Sequence, residues 1–126
     1  TPQICYEGIF PDASYQTEET RAHWLVNVTN DAWFGISVGP YQHFEMTRMR
    51  AIEQGLPLAR SANSGISGII DPIGRTLKNI PLGVEGIITT QIPLRVEKTL
   101  FSIIPSIFTW MFIMLNFLVI LLFYKK

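Results

Sequence analysis

The chain has 126 residues, room for one domain at most. Ten basic and ten acidic residues give a formal net charge of zero, which leaves no electrostatic case for a nucleic-acid partner. One cysteine, Cys5, excludes an intrachain disulfide and leaves the redox compartment open.

In chain order, Pro2 to Cys5 reads as the end of a strand. The chain opens on Thr1 only four residues ahead of this candidate functional position, so a fragment of a longer protein is expected. Asp12 to Ala22 is polar and is predicted as a short surface helix. Trp24 to Thr29 (WLVNVT) is apolar and β-branched, as a buried strand should be. Asn30 to Pro40 is a loop punctuated by Gly35, Gly39 and Pro40. Tyr41 to Gln54 is predicted as a helix that stops at Gly55 and Pro57. Short strands are predicted over Leu58 to Ala62, Gly65 to Ile70, Arg75 to Leu77 and Gly86 to Ile92. Turns fall at Asn63–Ser64 and Asp71-Pro72-Ile73-Gly74. Pro93 to Lys98 is a linker.

On a helical wheel Tyr41, Phe44, Met49, Ala51 and Ile52 share an apolar face, whereas Gln42, His43, Thr47, Arg50, Glu53 and Gln54 lie off it. Glu45 and Arg48 fall inside that face three residues apart. Buried charges need partners, so they are expected to form an internal ion pair, the alternative being that one of them faces a catalytic pocket.

No charged residue occurs from Thr99 to Tyr124. Within it, Ile103 to Tyr124 is 22 residues long, roughly 33 Å as a helix against a bilayer core about 30 Å thick. One transmembrane helix is predicted, with Pro105 in its first turn and Trp110 and Tyr124 near the interfaces. Lys125 and Lys126 flank one end and Arg95 and Lys98 the other, so charge does not orient the segment. The expected organisation is therefore residues 1–98 as α/β material and residues 99–126 as a membrane helix with a short basic tail.

Taken alone, Cys5 is a weak signal, because a lone cysteine is most often a small buried hydrophobe. Its place at a strand end, before the Gly8 and Pro11 break, fits the sharp turn that exposes a nucleophile. Glu7 adds a nearby carboxylate that could orient an amine or hold a loop. His23 and His43 raise a Cys–His pairing as an alternative. Neither stands in a metal-ligand spacing, so no metal is expected.

Ile4-Cys5-Tyr6-Glu7 with Phe10-Pro11 resembles the nucleophile motif of the apolipoprotein N-acyltransferases, a branch of the carbon–nitrogen hydrolase (nitrilase) superfamily. The strings Asn27-Val28-Thr29-Asn30-Asp31-Ala32-Trp33-Phe34-Gly35, Gly39-Pro40-Tyr41-Gln42-His43 and Arg48-Met49-Arg50-Ala51 are similar to that branch. Ala62-Asn63-Ser64-Gly65-Ile66-Ser67 and Asp71-Pro72-Ile73-Gly74 follow in the same order. The resemblance covers nearly the whole chain.

It implies the C-terminal portion of a nitrilase-like α-β-β-α sandwich followed by one transmembrane helix. It implies a Glu-Lys-Cys triad of which only the Cys, carried over to Cys5, lies in this chain. Tyr6 and Glu7 match the positions after it in a supporting role, and Trp33 and Phe34 are candidates for an apolar substrate mouth. The implied reaction uses no cofactor. It moves a fatty acyl chain from a phospholipid, through a Cys5 thioester, to the N-terminal amine of a diacylated apolipoprotein. The implied location is the bacterial inner membrane, with the catalytic part in the periplasm and Lys125–Lys126 in the cytoplasm. A membrane-anchored amidase of the same superfamily and an inactive truncated remnant are the alternatives.

Overall fold

The computed structural model describes residues 1–14, 21–104 and 107–124. Five strands form one sheet in the order β1-β2-β3-β4-β5. They are β1 (Pro2–Ile4), β2 (Leu25–Asn30), β3 (Leu58–Asn63), β4 (Ser67–Ile70) and β5 (Thr76–Ile80). Strands β1, β2 and β3 are parallel; β4 and β5 continue antiparallel. Parallel neighbours need a crossover, and helix α1 (Gly39–Gln54) supplies it between β2 and β3. The β2–β3 register runs from Leu25 opposite Leu58 to Asn30 opposite Asn63.

Alternation along the strands sorts side chains by face. One face carries Gln3, Leu25, Asn27, Thr29, Leu58, Arg60 and Ile70, all buried. Helix α1 covers it with buried His43, Phe44, Thr47, Arg50, Ala51 and Gln54. The layer is apolar at one end, where Leu25, Ala51, Leu56, Leu58 and Ile70 form the core. It turns polar toward the C-terminal ends of β1–β3. The opposite face leaves Ile4, Trp24 and Val28 exposed.

Several expectations need correction. Of the apolar stripe read from the wheel, Phe44 and Ala51 are buried, but Tyr41 and Met49 are exposed, and His43, Thr47, Arg50 and Gln54, read as off the stripe, are buried. The helix docks on the polar half of the sheet, so its inward face carries polar groups and hydrophobic periodicity does not mark it. Glu45 and Arg48 do pair, at 2.8 Å, but on the exposed side, and Arg48 also donates to the Gly74 carbonyl at 2.9 Å.

Gly86 to Ile92 forms no strand. The Gly83 N–H bonds the Ser64 carbonyl at 3.0 Å, which draws the chain toward the β3–β4 turn. From β5, Lys78 Nζ donates to the Thr89 carbonyl at 2.8 Å. The predicted surface helix over Asp12 to Ala22 begins as a 3-10 turn, Pro11–Ser14, and residues 15–20 lie outside the described part.

The last segment is not one continuous 22-residue helix. Helix α2 (Leu100–Ile103) ends at Ile104, and α3 (Ile107–Tyr124) follows. Ile104 stands at φ −133° and ψ 78°, because the residue before a proline is pushed out of the helical region. Residues 105–106 and 125–126 lie outside the described part. Helix α3 has 18 residues, and Trp110 through Phe123 expose their large apolar side chains. Among the described residues no helix is long and apolar enough to cross a membrane.

A strap precedes α2. Gly55 ends α1 in the left-handed conformation at φ 63°, which glycine adopts without penalty, and its carbonyl accepts the Val96 N–H at 3.0 Å. Arg21 donates to the Val96 carbonyl at 2.7 Å, and Arg95 donates to the carbonyls of Arg21 and Ala22.

Candidate active site

Cys5 begins a 3-10 turn, Cys5–Ile9, directly after β1. Its φ is +51°, and the left-handed region costs a residue with a side chain on the order of 1–2 kcal/mol. The turn is held from below. Asn27 Nδ2 donates to the carbonyls of Gln3 and Cys5, both at 3.3 Å. Arg50 Nη1 donates to the Ile9 carbonyl at 3.1 Å. Gly8 sits against Thr47 and Asn27 so closely that an added Cβ would lie 3.0 Å from Thr47 Oγ1. A side chain at residue 8 would therefore have to displace Thr47 or Asn27 by a few tenths of an ångström. This is the sharp strand-to-turn geometry expected of Cys5, at the C-terminal end of a parallel strand, where α/β sheets place their ligands.

The sulfur is partly exposed. Thr29 Oγ1 lies 3.5 Å from Sγ and donates to it. The thiol is held below its ordinary value chiefly by that hydroxyl, then by the Asn30 backbone N–H. Partial burial opposes this, the Tyr6 N–H adds to it, and the Asp31 charge opposes it. A lowered thiol value raises the thiolate fraction, and the thiolate is the nucleophile.

Beneath the sulfur lies a buried ionic cluster. Asp31 Oδ2 accepts from Arg60 Nη2 at 2.8 Å, and Asp31 Oδ1 accepts from His43 Nδ1 at 2.8 Å. Arg60 also donates to the Ile66 carbonyl at 3.2 Å, to Thr47 Oγ1 at 3.0 Å and to Asn27 Oδ1. Burial pulls the Arg60 guanidinium down from its ordinary value and the Asp31 carboxylate pulls it back up. Arg60 thus reaches Cys5 by two routes, through Asp31 and Thr29 to Sγ, and through the Asn27 amide to the Cys5 carbonyl.

The other expected site residues are placed as follows. Tyr6 is half-exposed, and its ring lies 5.4 Å from the His43 ring and 6.4 Å from Phe34. Glu7 turns back on its own turn, Oε2 accepting the Ile4 N–H at 2.7 Å. Phe34 is half-buried, edge-on to His43 at 5.9 Å. Trp33 is 87% exposed. His43 is buried in contact with Asp31 rather than Cys5, and His23 is exposed. No group of three or more His, Cys, Asp or Glu that could hold a metal ion occurs among the described residues. Reading from the sequence did not single out Thr29, Asp31 or Arg60 individually. The available signal was Arg60 itself, a charge in the middle of an apolar strand that demands a buried partner.

Residues 1–99 match the family described as Carbon-nitrogen hydrolase. The chain belongs to that family. The chain is 57% identical over 101 residues to a protein of Bradyrhizobium diazoefficiens named "Apolipoprotein N-acyltransferase", covering 80% of this chain and 19% of the relative. A Rickettsia bellii protein of the same name is 48% identical over 126 residues, covering 99% of this chain and 25% of the relative. The chain therefore spans a fifth to a quarter of the length of these carbon–nitrogen hydrolase relatives. A carbon–nitrogen hydrolase from Helicobacter pylori G27 superimposes with a TM-score of 0.56 at 17% identity. That likeness covers 67% of this chain and 36% of the other, and establishes the nitrilase-like α/β fold.

Proposed function

We propose that the chain is the C-terminal part of an N-acyltransferase. The enzyme moves a fatty acyl chain from a phospholipid, through a thioester on Cys5, to the N-terminal amine of a diacylglyceryl-cysteine lipoprotein. The observation that carries the reading is the environment of Cys5 Sγ. The sulfur sits on a strained turn at a strand end, with donors that favour its charged form, in a chain about half identical to acyltransferases by name.

In the first step the Cys5 thiolate attacks the ester carbonyl, the C–S bond forms, and the lysophospholipid leaves as an alcohol carrying a proton. In the second the lipoprotein amine attacks the thioester, the amide forms, and the thiol is restored. Splitting a slow aminolysis into two displacements is the gain of covalent catalysis. The family resemblance assigns the general base and the oxyanion-stabilising cation to a Glu and a Lys outside this chain.

Residues of this chain supply nucleophile and mouth. Glu7 braces the turn through the Ile4 N–H, and Tyr6 and Phe34 wall the site over His43. Trp33, almost wholly exposed, is an apolar side chain available to an acyl donor. Helix α3 is assigned to the membrane. Its 18 described residues are uncharged and rise about 27 Å, close to the roughly 30 Å of a bilayer core. The family resemblance, rather than any charge asymmetry, assigns the catalytic part to the periplasmic side of the inner membrane.

The test is intact mass of the full-length gene product after exposure to phospholipid, with and without hydroxylamine. A hydroxylamine-labile acyl adduct, absent in Cys5→Ala, is expected. A full-length enzyme that carries no adduct but releases ammonia from amides would replace this reading with an amidase.

A further inference from the structure

Thr29 carries one hydroxyl proton and has two acceptors in reach, Cys5 Sγ at 3.5 Å and Asp31 Oδ1 at 3.2 Å. A hydroxyl donates to one acceptor at a time. Asp31 does not depend on this donor, since His43 serves Oδ1 and Arg60 serves Oδ2. The geometry points to Thr29 as a positioning residue, a buried hydroxyl rotor that faces Asp31 while Cys5 is a thiol and turns to Sγ when the sulfur is charged. The inference rests on Cys5 being the nucleophile and adds how its charged form is accommodated.

No covalent bond changes at Thr29. The proton leaving Cys5 goes to the external base, Thr29 keeps its own, and Asp31 gives up one hydrogen bond while remaining compensated by His43 and Arg60. That compensation is essential to the arrangement, because a bare carboxylate behind the sulfur would oppose its ionisation. The ionisable groups packed around the pair are Tyr6 and Glu7 on the Cys5 turn, Asp31 after β2, His43 on α1 and Arg60 on β3. Of these, Glu7 is turned to the Ile4 N–H.

The experiment is the pH profile of Cys5 alkylation by iodoacetamide in the detergent-solubilised full-length enzyme. Native protein is compared with Thr29→Val, Thr29→Ala and Thr29→Ser. Losing one hydrogen bond to a charged sulfur should move the profile upward by about one pH unit. Alkylation at neutral pH then falls roughly tenfold in both Val and Ala variants, with the same limiting rate at high pH. Ser should keep the native profile. A native profile in the Val and Ala variants overturns the inference, as does a Ser variant that shifts as far as they do. These readouts need no acyl transfer, so their failure leaves the acyltransferase reading standing. Absence of an acyl adduct on native enzyme would instead remove that reading and leave the rotor intact.

Discussion

Replacing Arg60 by methionine tests whether the cluster beneath Cys5 is a structural keystone. The guanidinium is buried and donates to four acceptors, on Asp31, Asn27, Thr47 and Ile66. Arg60→Met leaves Asp31 buried with no cation of fixed charge beside it, and breaking such a pair from one side costs about 3–5 kcal/mol. The orphaned acceptors are worth about 1–3 kcal/mol each, but they belong to the same network and do not add to the full sum. A loss of about 4 kcal/mol is a large share of the roughly 5–15 kcal/mol that holds a domain together. Removing both charges, as Asp31→Asn with Arg60→Met, should cost less than Arg60→Met alone, since no uncompensated carboxylate remains. The assay is urea unfolding of the full-length protein in detergent, followed by tryptophan fluorescence. A single variant that loses less than about 1 kcal/mol would refute the reasoning, as would a double variant whose cost equals the sum of the two singles.

Other expectations follow from the same geometry. Gly65→Ala places a methyl group against the Asp31 carboxylate, and should lower both thermal stability and Cys5 alkylation at neutral pH. Trp33→Ala, at an exposed position, should change stability by no more than about 0.5 kcal/mol, and on the proposed acyl-transfer reading it should raise the KM for phospholipid severalfold. Burial pushes the Asp71 carboxyl up, yet the Arg75 side chain and the N–H groups of Arg75 and Ile73 hold it below its ordinary value on balance. Its contribution to stability is therefore present above the unfolded carboxyl value, about 3.9, and is lost as pH falls through the lower folded value. The urea midpoint of Asp71→Asn should accordingly depend less on pH below about 4 than that of the native protein.

Much of the sheet was legible because its signals are local. Trp24–Thr29 and Leu58–Ala62 carry apolar, β-branched or small residues between breakers; the first strand found is shifted by one residue at both ends and the second runs one residue longer. The α1 stop at Gly55 followed the same logic. The orientation of α1 was not legible, because its buried face is polar and its exposed face carries Tyr41, Met46 and Met49. Periodicity reports hydrophobic burial, and here a buried ionic cluster replaces it. For the same reason the Glu45–Arg48 pair, close in sequence, is legible, whereas the Asp31–Arg60 pair, 29 residues apart, is not. The interruption at Ile104 was foreshadowed by Pro105, whose effect on the preceding residue outweighs the apolar run. Cys5 stood out through its motif, whereas the hydroxyl that serves it emerged only from the β1–β2 pairing.

The cluster under Cys5 is assembled from distant parts of the chain, with Thr29 24 residues from the sulfur it serves and Arg60 33 residues from Asn27. None of these contacts exists until β1, β2 and β3 lie side by side with α1 across them, and such non-local contacts form late and slowly. A nascent or misassembled chain therefore presents an ordinary, sluggish thiol. The lowered value of the thiol is thus a property of the completed sheet and not of the Cys5 turn alone.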